Sequence, residues 1–123
     1  MTASIHSIGY DQSLKHAHEV MREHHIRHLP VLDGGRLVGI LSDRDLAFVE
    51  NLRDVEAATV RVEEAMTATP YIVAKTALLG QVAREMAEHR YGSAVVMERE
   101  HVIGVFTTTD ALRALADACD GKA

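Results

Sequence analysis

The sequence predicts an α+β protein, an α/β sandwich built from two β-α-β-β-α repeats packed with pseudo-two-fold symmetry. Three observations lead there. The chain matches itself without a gap at an offset of 65 residues: Met1-Thr2-Ala3-Ser4 falls on Met66-Thr67-Ala68-Thr69, Leu14 on Leu79, Met21 on Met86, Glu23-His24 on Glu88-His89, Val31 on Val96, Gly39 on Gly104 and Asp45 on Asp110. A register held over a whole repeat marks a duplicated structural unit. Within each copy, short apolar runs alternate with segments whose apolar residues recur at helical spacing. In each copy, too, two runs stand only a few residues apart, as a hairpin requires.

Each element of copy one follows in order. Ile5 to Ile8 is short and partly apolar, an edge strand. Asp11 can cap the next helix, in which Leu14, Ala17 and Met21 share a face. That helix stops near His25, because Pro30 and β-branched Val31 lie just beyond. Leu29–Leu32 and Leu37–Leu41 are strands joined through Asp33-Gly34-Gly35-Arg36, where glycine supplies the positive φ of a tight turn. Ser42-Asp43 then caps a second helix running to about Leu52.

Copy two repeats the order. Tyr71–Val73 is a strand, and Thr76 caps a helix carrying Leu79, Val82, Ala83, Met86 and Ala87. Ala94–Met97 and His101–Phe106 are strands, and Thr107-Thr108-Thr109-Asp110 leads into a last helix through Leu112 and Leu115. Glu98-Arg99-Glu100 replaces the glycines, so this hairpin is expected to be looser. Between copies, Arg53–Thr59 is a charged linker with some helical preference, and Val62–Met66 is one short helical turn. The repeats divide as 1–57 and 58–123.

A repeat of about 60 residues buries only about 60% of its unfolded surface, so the copies are expected to share a core. With 47% hydrophobic residues but only three tyrosines, two phenylalanines and no tryptophan, that core is aliphatic. No apolar run approaches the roughly 20 residues that span a bilayer, and the N-terminus lacks the order of a signal peptide. A single cysteine, Cys119, excludes an internal disulfide and points to the cytoplasm. The formal charge of −5 argues against nucleic-acid binding through phosphates. It leaves room for a local anion site, since Arg22, Arg27, Arg36 and Arg44 all fall in copy one.

The chain resembles the cystathionine-β-synthase (CBS) domain family in its tandem-pair form, over nearly its whole length. The resemblance is carried by Met66-Thr67, by Ile26-Arg27-His28-Leu29-Pro30-Val31-Leu32-Asp33 and by Leu37-Val38-Gly39-Ile40-Leu41-Ser42-Asp43-Arg44-Asp45-Leu46. Copy two carries it less sharply, through Tyr91–Met97 and Val102–Ala111. The resemblance implies a regulatory module that binds an adenosine-containing ligand (AMP, ADP, ATP or S-adenosylmethionine) in the cleft between the repeats. It implies no catalysis and no cofactor beyond that regulatory nucleotide. It also implies a homodimer and an effector protein reached in trans or in a larger assembly.

The chemistry-bearing motif is hydroxyl-x-x-carboxylate, Ser42-Asp43-Arg44-Asp45 and Thr107-Thr108-Thr109-Asp110. Each sits where a strand meets a helix, so unpaired N–H groups and the helix dipole favour an anion there. The carboxylate can accept ribose hydroxyls, as acidic residues do in other nucleotide sites. Local sequence alone favours reading the same residues as a helix cap followed by a favourable first-turn acid. Duplication and resemblance together favour the ligand role for Asp45 and Asp110. Arg27, His28 and Arg44 are the phosphate-side cations, whereas their counterparts Gly92, Ser93 and Thr109 are uncharged. The copy-one site therefore suits a phosphorylated ligand, and the copy-two site either takes a less charged adenosine derivative or stays empty. Backbone around Thr69, Tyr71 and Ile72, and at Ile5-His6, is placed near the base, with Leu29 and Ala94 as apolar walls.

The histidines His24, His25 and His28 cluster in sequence, but a helix ending near His25 spoils the spacing of a metal pair, and His89 stands alone. No metal site is assigned on this pattern. Cys119 lacks the context of a reactive thiol. Two other readings stand beside the sensor: a ligand-independent dimerisation or interaction module, and a small metal-dependent hydrolase using the histidines.

Overall fold

The computed structural model describes residues 6–121. Within them the chain packs as two compact units, one spanning His6–Pro70 and one from Tyr71 onward. The sequence places the division at 57/58. Residues beyond it stay with the N-terminal unit because Val62 is wholly buried in that unit's core, with Ala57, Val60 and Ala65 packed against it.

In the N-terminal unit the order is β1 (Ile8–Gly9), α1 (Leu14–His24), β2 (His28–Asp33), β3 (Arg36–Ser42), α2 (Asp43–Glu50) and α3 (Val62–Ala65). β1 lies parallel to β2 at the sheet edge, and β2 runs antiparallel to β3. The edge strand thus begins at Ile8 rather than at Ile5, which lies outside the described residues. Ser13, not Asp11, caps α1, and the first turn explains why. Its orphan N–H groups are all satisfied: Leu14 N–H donates to Val60 O (2.9 Å), Lys15 N–H to Ala57 O (3.2 Å) and His16 N–H to the Ser13 hydroxyl (3.1 Å). The residues read as linker are therefore the lid of this helix. Arg53–Thr59 forms turns instead of helix, with Asp54 at φ 60°. α2 ends at Glu50 rather than Leu52, because both the backbone and side-chain amides of Asn51 donate to Ala47 O.

The C-terminal unit repeats this with β4 (Ile72–Ala74), α4 (Leu79–His89), β5 (Ser93–Glu98), β6 (His101–Thr107) and α5 (Thr108–Cys119), its sheet ordered β4-β5-β6 with the same strand senses. The duplication reaches irregular details. Both sheets shift register at equivalent points, Val31/Leu32 and Val96/Met97. Helices α1 and α4 end identically, with His25 and Arg90 left-handed and the next N–H returning to Met21 O and Met86 O.

The capping expected of Thr76 is not observed. Ala77 N–H closes a turn onto Ala74 O, and α4 starts only after Leu78, which has no side-chain acceptor to offer. In α5 the inward face is Asp110 with half-buried Ala111 and Ala114; Leu112 and Leu115, expected along the apolar stripe, are 60% and 58% exposed. The second hairpin is not looser than the first. Glu98 pairs with His101, so Arg99 and Glu100 make a two-residue turn at φ 56° and 101°, as Gly34 and Gly35 do at 58° and 88°. Strand twist demands that turn whatever residues occupy it.

A side chain at such φ is strained, and Glu100 lies furthest from any region open to L-residues. Glu100→Gly is expected to raise stability by about 0.5–1 kcal/mol, net of the entropy glycine adds to the unfolded chain. Urea denaturation followed by circular dichroism measures it, and an unchanged or lower midpoint contradicts the strain.

Candidate functional site

The candidate residues gather at one strand-to-helix corner in each unit. In the N-terminal unit, β2 and β3 bring His28 opposite Ser42 and Leu29 opposite Leu41. The N–H of Asp43 then donates to Arg27 O at 2.9 Å, so the residue before β2 is tied to the start of α2. In the C-terminal unit Ser93 faces Thr107, Ala94 faces Phe106, and Gly92 O accepts from both the N–H (3.2 Å) and the hydroxyl (3.3 Å) of Thr108. Hairpin pairing thus joins groups that the sequence holds some 15 residues apart.

Both hydroxyl-x-x-carboxylate motifs form reciprocal capping boxes. Ser42 N–H donates to Asp45 Oδ2 (2.9 Å) while Asp45 N–H donates to Ser42 Oγ (3.2 Å). At the second corner Thr107 donates to Asp110 Oδ2 through its N–H (2.8 Å) and its hydroxyl (3.1 Å), and Asp110 N–H returns to Thr107 Oγ1 (3.2 Å). The capping reading of these residues is therefore realised. It also fixes each carboxylate in place at a helix N-terminus. Asp110 is 8% exposed, whereas Asp45 is only half-buried.

Around the first corner Arg27 and Arg44 are exposed and His28 is half-buried. At the second, Gly92 and Thr109 are exposed and Ser93 is buried. A cation can reach an anion at the first corner, and no cationic side chain occupies the equivalent positions of the second. Leu29 and Ala94 are fully buried within the two hydrophobic cores, so neither side chain offers surface as an apolar wall. Thr69 is exposed, two residues beyond Thr67, whose N–H and C=O both bond Ile40. Of the pair placed near the base, Ile5 lies outside the described residues and His6 stacks on His24 with ring centroids 3.7 Å apart.

Tyr71 is half-buried. Its carbonyl accepts from Val95 N–H (2.8 Å), and its ring stacks on Tyr91 at 5.0 Å. Partial burial pushes its phenol pKa above the usual value, with Glu85 and Tyr91 adding to the effect. His89 does not stand alone. It stacks on Tyr91 (5.1 Å), approaches Glu85 at 3.3 Å, and with Glu85 and Glu88 forms the one group among the described residues whose donors could meet a metal ion. The i, i+3 and i+4 positions of α4 carry that grouping, a helical spacing present in the sequence. No helix among the described residues is long and apolar enough to cross a membrane.

Each unit also holds a cleft. One of about 380 Å³ is lined by Asp45, Phe48, Val49 and Val60 among others. One of about 510 Å³ runs between Val73, Leu79, Val82, Phe106, Asp110 and Ala114. Sequence reasoning missed the second, because Leu79 and Val82 read simply as the apolar face of a helix.

The profile of the CBS domain matches residues 1–50 and 62–117. Hypoxic response protein 1 of Mycobacterium tuberculosis is 29% identical over 95% of this chain and 82% of its own length. Among solved structures, a signal-transduction protein with CBS domains from Burkholderia ambifaria superposes with a TM-score of 0.83 at 27% identity, covering 93% of this chain and 84% of its own. The structure of CBSX2 in complex with AMP gives 0.77 at 28% identity, covering 97% and 94%.

Proposed function

This chain belongs to the CBS domain family, and from that premise we propose that it is a regulatory module whose strand-to-helix corners bind an adenosine-containing ligand. The observation that carries this reading is the duplicated corner itself: a carboxylate locked at a helix N-terminus beside the residue preceding the central strand, Arg27 in one unit and Gly92 in the other. The helix N-terminus and Arg27 favour phosphate, and Asp45 accepts ribose hydroxyls. The second corner, without cations, takes a less charged adenosine derivative. The similarity to a protein solved with AMP supports the ligand class. No residue is assigned a catalytic role.

Regulation requires the ligand to prefer one conformational state over another, since equal affinity for both transmits nothing. Thermal shift against AMP, ADP, ATP, S-adenosylmethionine and NAD tests binding directly. A ligand at 100 times its Kd adds about 2.7 kcal/mol. Asp45→Ala is expected to weaken AMP or ATP by roughly 10- to 100-fold, the worth of a hydrogen bond to a charged acceptor. Arg27→Ala should weaken them while sparing adenosine. Each variant is compared with its own ligand-free baseline, because Asp45→Ala also removes a cap. A folded parent that shifts with none of the five ligands sinks the reading.

A second reading rests on exposed apolar side chains of α2 and α5: Phe48 is 70% exposed, with Leu112 and Leu115 beside the values above. We propose that these helices support self-association into a homodimer. Light scattering with and without nucleotide separates ligand-linked from ligand-independent assembly, and an effector protein would respond to the former.

A further inference from the structure

The last two turns of α4 gather three side chains that carry metal-binding atoms. Glu85, Glu88 and His89 each offer one donor, and these donors all lie within 4.8 Å of one another. Positions i, i+3 and i+4 share a helix face, so the backbone itself brings them together. His89 Nε2 already stands 3.3 Å from Glu85 Oε2. The His89 ring stacks on Tyr91 at 5.1 Å, and Tyr91 stacks on Tyr71 at 5.0 Å. Neighbours outside the donor set therefore orient the imidazole, which lowers the entropy lost when it takes a ligand. Glu85 and Glu88, adjacent on that face, repel each other at the negative end of the helix dipole. A cation between them removes that repulsion. The other copy supplies the comparison. Glu23 and His24 repeat Glu88 and His89 at the offset of 65, but Val20 stands at the register of Glu85. Glu85 thus turns a duplicated Glu-His pair into a three-donor group.

We propose that Glu85, Glu88 and His89 bind one divalent transition-metal ion, with Zn²⁺ the best match. Two carboxylates and an imidazole form a mixed oxygen and nitrogen set, whereas Ca²⁺ and Mg²⁺ call for oxygen alone. Donors about 2.1 Å from one ion stand at most about 4.2 Å apart, so the group closes on the ion by less than about 1 Å. Glu88 and His89 are exposed and Glu85 half-buried, so that closure disturbs no core packing. Three protein ligands leave the fourth zinc position to water. Bound there, the ion fixes the end of α4 beside Tyr91 and Gly92, and Gly92 O holds Thr108 at the second corner. The inference is independent of nucleotide binding.

The test is isothermal titration of the intact chain, stripped with EDTA and dialysed, with ZnCl₂. One ion per chain is expected, with Kd on the order of 10 μM, weaker than a closed four-ligand site. His89→Ala and Glu85→Val should each weaken binding at least 10-fold, with circular dichroism unchanged because these side chains face water. His24→Ala, at the register of His89 in the other copy, should leave the affinity as it is. Paramagnetic broadening of backbone amide signals by Co²⁺ should centre on residues 85–91. Absence of binding at millimolar ZnCl₂ overturns the proposal, as does binding indifferent to His89→Ala or to Glu85→Val. Broadening centred elsewhere, or a loss that follows His24→Ala instead, would assign the ion to other histidines and equally overturn it.

Discussion

Leu14→Ala is expected to destabilise the N-terminal unit by about 3 kcal/mol, while Leu79→Ala, at the same register of the other copy, changes stability by less than about 1 kcal/mol. Leu14 is fully buried against Ile8, Ala17, Leu41 and Val62. Truncating such a leucine removes transfer energy and leaves a cavity that the neighbours only partly close. Leu79 already has half its surface in water. Its loss forfeits a fraction of that burial, offset in part by the higher helix propensity of alanine. Urea denaturation of both variants reads the contrast. Equal losses would mean that Leu79 is buried in solution, against its 50% exposure.

Gly39→Ala is expected to cost about 2–3 kcal/mol. A Cβ at Gly39 would lie 2.5 Å from Met66 Sδ and 2.8 Å from Thr67 O. The sulfur ends a flexible side chain and can move. The Thr67 carbonyl cannot, because it accepts from Ile40 N–H (3.0 Å) while Thr67 N–H donates to Ile40 O (2.9 Å), pinning that segment beside β3. Alanine therefore either overpacks the crossing or breaks two backbone hydrogen bonds. The same replacement at Gly80 meets nothing within 4 Å and is expected to raise stability by up to about 1 kcal/mol. Were Gly39→Ala neutral in the same denaturation experiment, the close crossing of Met66-Thr67 over β3 would be wrong.

Much of this was legible in residues. The offset of 65, the alternation of strand and helix patterns and Gly34-Gly35 specified the repeated β-α-β-β-α unit, because apolar periodicity follows directly from backbone geometry. Ser42, Asp45, Thr107 and Asp110 were identifiable as a pair of corners for the same reason. Less legible were features that depend on partners far along the chain. Ser13 displaced Asp11 as a cap because Val60 and Ala57 hold the adjoining N–H groups. Leu29 and Ala94 are core rather than walls because the strand face they share carries α1 or α4. Arg99 and Glu100 adopt a turn their types disfavour because the strands they join are already paired.

By itself, then, the chain determined its class, its duplication and the place of its polar corners, since each is a local pattern written in consecutive side chains. Tertiary structure alone decided that Val55–Ala65 covers the first turn of α1 while Leu79, at the same register of α4, stays half exposed. Burial is a property of what packs opposite a residue, and identical registers in two copies acquire different neighbours without any local signal of the difference.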